Sequence, residues 1–359
     1  MISTSQAQGR VQGRAQGRAV GARIAAIATH LPDRVLSNDE LAALYPAWPA
    51  DKILDKTGIR ERRVAAEGET AGDLAFHAAQ KLFASGACAR EDVDFVILCT
   101  QAPDYLLPTT ACLLQDRLGL GRHVGALDVN LGCSGFVYGL ALATGLIAAG
   151  AARTVLLLTA DTYSKFIHDG DKSVRTLFGD GAAATVIVAD EGADDGAPTI
   201  GPFVFGTDGA GGKDLIVEAG GFRMPRGPHT GQMAEDAQGN VRSREHLFMH
   251  GANVMTFSLR EVPRTFAQLL ERSGTARDDV DHVVLHQANK FMLDALQRKL
   301  DLPSDKIPRR YEDIGNTVSS TIPFVLADLK ESGQMAAGTR IMLIGFGVGL
   351  SWAGAAISC

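Results

Sequence analysis

Residues 85–98 read Ser-Gly-Ala-Cys-Ala-Arg-Glu-Asp-Val-Asp-Phe-Val-Ile-Leu, and residues 273–285 read Ser-Gly-Thr-Ala-Arg-Asp-Asp-Val-Asp-His-Val-Val-Leu. One extra residue in the first copy is the only gap between them. Each stretch follows a helical pattern, over 70–83 and 251–271, and each leads into a short β-branched run with a polar tip. Helix, turn and buried strand therefore occur twice. A second pair closes each half. Phe178-Gly179-Asp180-Gly181 precedes a strand over 184–189, and Gly345-Phe346-Gly347-Val348-Gly349 precedes one over 351–357. Both read as glycine-rich turns feeding an apolar strand.

Strands that alternate with helices give an α/β architecture with parallel or mixed sheets. Further strands are expected over 24–28, 124–129 and 155–159. The helix over 135–149 carries Gly139, Ala141, Ala143, Gly145, Ala148 and Ala149, which suits a helix buried on all sides. The expected organisation is a disordered basic tail (1–23), a first half (24–195) and a second half (196–359). The connector falls within 190–198. Residues 206–245 are rich in Gly and polar side chains, as in a lid or mobile insert.

Composition excludes several function classes. The tail holds four Arg and no acid, and the rest of the 359-residue chain carries 31 basic against 41 acidic side chains. An acidic body offers no general field for nucleic acid. The sequence contains no uncharged apolar run of about 18 residues, so no membrane span is expected. The tail lacks the apolar stretch of a secretory signal. Five scattered Cys form neither a disulfide framework nor a zinc pattern, which points to a reducing, cytoplasmic compartment.

Functional groups of α/β folds gather at the carboxyl ends of strands. After the strand over 124–129 come Asn130-Leu131-Gly132-Cys133-Ser134-Gly135-Phe136. Cys133 there stands at a helix N-terminus, where the macrodipole favours a thiolate. It reads as a nucleophile, or equally as a buried inert thiol. His286-Gln287-Ala288-Asn289 follows the strand over 283–285, and Tyr311-Glu312-Asp313-Ile314-Gly315-Asn316-Thr317 precedes a helix over 320–330. Taken singly, His286 could be a core histidine and Asn316 a helix cap. Together with a glycine-rich turn they form an acyl-transfer constellation.

These residues carry a resemblance to the thiolase superfamily, and within it to the β-ketoacyl-acyl carrier protein synthase III group. It runs from about Arg23 to Cys359. Its motifs are Thr57-Gly58-Ile59-Arg60-Glu61-Arg62, Gly132-Cys133-Ser134-Gly135-Phe136, Phe178-Gly179-Asp180-Gly181-Ala182, His286-Gln287-Ala288-Asn289, Gly315-Asn316-Thr317 and Gly345 through Trp352. The resemblance implies a duplicated five-layer αβαβα fold and a two-stage reaction. Cys133 takes an acyl group from acyl-CoA, with the Cys133 and Val348 N–H groups as oxyanion hole. His286 and Asn316 then stabilise the enolate formed when malonyl-acyl carrier protein loses carbon dioxide. It implies a homodimer and no cofactor or metal beyond CoA and phosphopantetheine thioesters. Two other readings keep the fold: an acyltransferase serving an alcohol or amine, and a non-catalytic subunit of a heteromeric synthase.

The chain departs from the group's pattern at several positions. Lys52, Lys56 and Lys172 stand where the group carries a Trp and two Arg that hold CoA. They keep charge but lose planar stacking. Leu107 replaces a bulky Phe that limits primer length across the subunit contact, implying a primer longer than acetyl. Val348 stands where Gly is usual. Ala252 replaces an Asn near the histidine. Lys290, Arg298 and Lys299, on the helix after His286, with Arg309 and Arg310 nearby, offer a basic patch for an acidic carrier.

Overall fold

The computed structural model describes residues 21–190 and 200–359. Most of the expected basic tail (1–20) and most of the expected connector (191–198) lie outside the described residues, while Gly21–Arg23, expected in the tail, already belong to the first strand. The first half supplies β1 (Gly21–His30), α1 (Ala71–Ala84), β2 (Phe95–Cys99), α2 (Thr110–Arg117), β3 (Gly125–Val129), α3 (Gly135–Ala148), β4 (Thr154–Asp161) and β5 (Gly181–Asp190). The second supplies β6 (Ile200–Thr207), α4 (Gly251–Ser273), β7 (His282–Leu285), α5 (Lys290–Leu300), α6 (Thr321–Glu331), β8 (Arg340–Gly347) and β9 (Ser351–Ser358).

The first sheet runs β1-β5-β4-β2-β3, and the second runs β7-β8-β9-β6. Both are mixed. The β4–β2–β3 ladders are parallel, as is β7–β8, while the remaining pairs are antiparallel. The two repeat segments occupy matching places. Arg90–Asp92 and Arg277–Asp279 each form a short 3-10 turn ahead of β2 and β7. Asp94 accepts from the Thr154 N–H at 3.0 Å, and Asp281 accepts from the Arg340 N–H at 2.7 Å. One repeated carboxylate thus pins the start of a neighbouring parallel strand in each half. The copies differ at one edge. Where β3 pairs with β2, the second half instead has Arg310 N donating to the Gln287 side chain at 2.9 Å.

Layering follows from the apolar faces. Helices α1 and α2 cover the outer face of the first sheet, and α4 and α5 that of the second. Helices α3 and α6 lie between the sheets in a shared core that includes Phe136, Leu140, Val284, Ile322, Val325 and Leu343. Each such buried side chain contributes about 1.5–3 kcal/mol. This is the five-layer αβαβα arrangement.

Two expectations need correction. Helix α3 is not buried all round: Leu142 is 43% exposed, and Gly145 and Ala148 are exposed. The sheets cover opposite sides of the helix and leave a lateral stripe. Residues 206–245 are not structureless. Leu215–Ile216 pairs with Phe248–Met249, and Ala234–Glu235 pairs with Val241–Arg242. Arg242 clamps this layer by bridging Asp171 (2.9 Å) and Asp236 (3.1 Å).

Candidate active site

Strand β3 ends at Val129, and α3 starts at Gly135. The loop between them holds Cys133, which is 4% exposed. Strand β8 of the other half runs directly against this loop. A Cβ on Gly345 would lie 2.7 Å from the Cys133 carbonyl oxygen, and one on Gly347 would lie 2.7 Å from Cys133 Sγ. The glycines therefore belong to a strand that touches the cysteine, not to a turn as the spacing suggested. The turn begins at Val348, whose backbone N–H favours the Cys133 thiolate.

Strand β7 delivers the histidine. His286 N donates to the Ile344 carbonyl at 2.9 Å, and the side chain is buried. Its Nδ1 lies 2.7 Å from Thr321 Oγ1, and its ring meets Phe346 edge-on at 5.6 Å. Asn316 Nδ2 lies 3.5 Å from His286 Nε2, while Asn316 Oδ1 accepts from Val318 N at 2.9 Å. The Asn316 backbone is clasped by the first half through bonds to Leu177 O (2.9 Å) and from Gly179 N (3.0 Å). Cys133, His286 and Asn316 line one cavity of about 560 Å³ together with Met249, Ala252, Phe291 and Gly347. That is a size suited to a small-molecule arm. A second cavity of about 530 Å³ shares Leu215 with the first and is lined by Gln101, Asn130, Tyr163 and Val348.

Burial dominates the electrostatics. It pushes the Cys133 thiol up to about 12, against the opposing bond from Val348 N–H. The helix N-terminus was expected to lower this value. Desolvation wins because the sulfur is enclosed. Burial also lowers His286 to about 3, so the imidazole is neutral across physiological pH. A neutral histidine and an amide can hydrogen-bond a developing enolate oxygen without first losing a proton.

The remaining candidates lie elsewhere. Lys52 and Lys56 sit over the Trp48 ring at 5.4 and 5.5 Å, and Lys52 donates to Ala47 O at 2.9 Å. Lys172 donates to Gln238 O (2.6 Å) and Asn240 Oδ1 (3.2 Å). None of the three lines the Cys133 cavity. Leu107 is 81% exposed and lines neither cavity of this chain. On α5, Lys290 pairs with Asp294 at 2.8 Å, whereas Arg298 and Lys299 are exposed. Arg309 pairs with Asp294, and Arg310 pairs with Asp313 and Asp328, so both are largely compensated. Ala252 leaves the orientation of His286 to Thr321. Sequence reasoning missed Thr321, whose only signal is a hydroxyl-rich run from Thr317 to Thr321. It also missed Trp48, an aromatic face four residues before Lys52.

Among the described residues, no helix is long and apolar enough to cross a membrane, and no three His, Cys, Asp or Glu side chains cluster as a metal site. Residues 127–209 match the family described as 3-oxoacyl-(acyl-carrier-protein) synthase III, and residues 270–359 match its C-terminal region. The β-ketoacyl-(acyl-carrier-protein) synthase III of Caldanaerobacter subterraneus subsp. tengcongensis is 34% identical over 334 residues, covering 93% of this chain and 96% of that protein. A solved 3-oxoacyl-(acyl-carrier-protein) synthase III is 62% identical with a TM-score of 0.92, covering 94% of this chain and 100% of its own. The 3-oxoacyl-(acyl-carrier protein) synthase of Burkholderia xenovorans is 35% identical with a TM-score of 0.86, covering 94% of each chain.

Proposed function

This chain belongs to the β-ketoacyl-(acyl-carrier-protein) synthase III family, and from that premise we propose how its residues perform the reaction. It is an acyltransferase that condenses an acyl primer with malonyl-acyl carrier protein. The observation that carries the residue assignment is convergence. Cys133, His286 and Asn316, from separate segments of the two halves, line one cavity.

In the first stage, Cys133 Sγ attacks the acyl-CoA carbonyl. A carbon–sulfur bond forms, the bond to CoA breaks, and CoA leaves with the proton. The N–H groups of Cys133 and Val348 hold the tetrahedral oxyanion. Malonyl-carrier protein then enters the same cavity. Loss of carbon dioxide leaves an electron pair on the α-carbon. His286 and Asn316 hydrogen-bond the thioester oxygen that shares this charge. The α-carbon attacks the acyl carbonyl, the bond to Cys133 breaks, and the departing thiolate takes a proton from water. The thioester carbonyl is the electron sink, so the chemistry calls for no further cofactor.

The carrier docks on α5, where Arg298 and Lys299 are exposed and unpaired among the described residues, beside Phe291 at the cavity mouth. CoA reaches the site past Trp48, with Lys52 and Lys56 meeting its phosphates and Lys172 held nearby by the 238–240 loop. The enzyme is a cytoplasmic homodimer. Tyr105, Leu106 and Leu107, 61%, 82% and 81% exposed, lie in the loop between β2 and α2, the helix that leads into the edge strand β3. In the dimer they are covered, and Leu107 reaches the partner's primer pocket. The test is sequential. Incubation with acyl-CoA gives an acyl adduct on Cys133 by intact mass, and malonyl-carrier protein then discharges it with carbon dioxide release. An adduct that passes to an alcohol or amine without carbon dioxide would overturn the assignment.

A further inference from the structure

We propose that the primer pocket selects an acyl chain bearing an uncharged hydrogen-bonding oxygen, a hydroxyl or oxo group, which Gln101, Asn130 and Tyr163 recognise. This rests on the reading that Cys133 carries the acyl group. The second cavity begins where that group must lie, because Tyr163 and Val348 line it and pack in one buried cluster with Cys133. Gln101 is close to the nucleophile. A Cβ on Gly132, the residue before Cys133, would stand 2.7 Å from Gln101 Oε1. The first carbons of a bound primer therefore pass beside an amide.

The three polar side chains form one chain of bonds. Tyr163, 3% exposed as a residue, donates its hydroxyl hydrogen to Gln101 Oε1. Gln101 Nε2 donates to Asn130 Oδ1 at 3.2 Å. Gln101 is held from behind, since its backbone N–H donates to Asp161 Oδ1 at 2.8 Å. Those bonds leave one Gln101 N–H, both Asn130 N–H groups and the Tyr163 oxygen lone pairs for a ligand. A plain alkyl chain would strip water from these groups and return nothing, which costs affinity. A primer oxygen restores the lost bonds. The first cavity makes the contrast, being lined by Met249, Val254, Met255, Phe291 and Met292.

The network is also neutral. The cationic side chain in the lining is Arg226, which is exposed and faces Glu245 at 3.8 Å. A carboxylate-bearing primer would meet a charge that is already compensated. A hydroxyl or oxo group matches the neutral amides and the phenol.

The experiment compares hexanoyl-CoA with 3-hydroxyhexanoyl- and 5-hydroxyhexanoyl-CoA, which share chain length. Acylation of Cys133 is followed by intact mass, and condensation by carbon dioxide release from malonyl-carrier protein. The wild-type protein should favour the better hydroxyacyl primer by about tenfold in kcat/KM for acylation, equivalent to about 1.4 kcal/mol. Gln101→Leu should bring that ratio to within about twofold of unity and quicken acylation by hexanoyl-CoA. Asn130→Leu, at an exposed position that tolerates change, should lower the ratio if the first variant folds poorly. A wild-type preference for hexanoyl-CoA overturns the inference, as does a ratio that neither variant moves. If the hydroxyacyl preference holds but no carbon dioxide is released, the condensing reading fails and the pocket assignment stands. If none of the three thioesters acylates Cys133, both fall.

Discussion

Gly347 is the position where adding one methyl group tests the site most directly. A Cβ there would sit 2.7 Å from Cys133 Sγ and 2.8 Å from Cys133 Cβ. Ordinary contacts of this kind settle near about 3.5–4.0 Å, so something must move by about 1 Å. Strand β8 is paired with β9 along its length, Gly347 included, and with β7 over 341–344, so it yields little. The cysteine side chain moves instead. A displacement of about 1 Å at a reacting centre costs about 10²-fold in rate. Gly347→Ala should therefore acylate about 10²-fold more slowly, and overpacking together with the strain of a φ of 159° should also lower stability, by a few kcal/mol. Gly345→Ala supplies the contrast. Its methyl group would meet backbone, at 2.7 Å from Cys133 O and 2.8 Å from Ser134 Cα, so the larger loss should be in folding. Acyl-adduct formation by quenched intact mass gives the rate, and thermal unfolding gives the stability. Wild-type acylation by a Gly347→Ala protein of unchanged Tm would refute the close contact between β8 and the Cys133 side chain.

His286→Ala should still take up an acyl group but lose about 10²–10³-fold in condensation, as for a missing oxyanion donor; single-turnover carbon dioxide release separates the stages. Thr321→Val removes the 2.7 Å partner of His286 Nδ1 and should slow condensation about tenfold while acylation is spared, with Thr321→Ser restoring the rate. Because burial holds the Cys133 thiol near 12, the thiolate fraction grows about tenfold per pH unit below that value. Iodoacetamide labelling of the free enzyme should rise likewise from pH 6 to 9, and a plateau near pH 8 would mean that the helix N-terminus prevails. Replacing both Arg298 and Lys299 with Glu should raise KM for malonyl-carrier protein about tenfold and weaken its salt dependence, measured against acylation from CoA as the internal reference.

The duplication was legible because its constraints are local. A helix, an aspartate and a β-branched run recur, and Asp94 and Asp281 perform the same pinning in each half. The placement of Cys133 was legible for a related reason, since a strand tip, flanking glycines and a helix start all lie within seven residues of it. Its ionisation was not legible. The proximity of a helix N-terminus can be read along the chain, but the enclosure that outweighs it comes from β8, contributed by the other half of the molecule. Gly345 and Gly347 were misplaced for the same reason. They resemble turn glycines unless one knows what passes beneath them. Thr321 and the polar network belong to this class as well. Gln101 meets Tyr163 across 62 positions and Asn130 across 29, and strand order alone brings them together. The residues proposed to form and break bonds are thus marked by local pattern. Those proposed to set orientation and primer choice are marked only by the packing of one half against the other. A family resemblance therefore identifies the reaction here more readily than the substrate, and Gln101 is where this chain's own chemistry is most open to test.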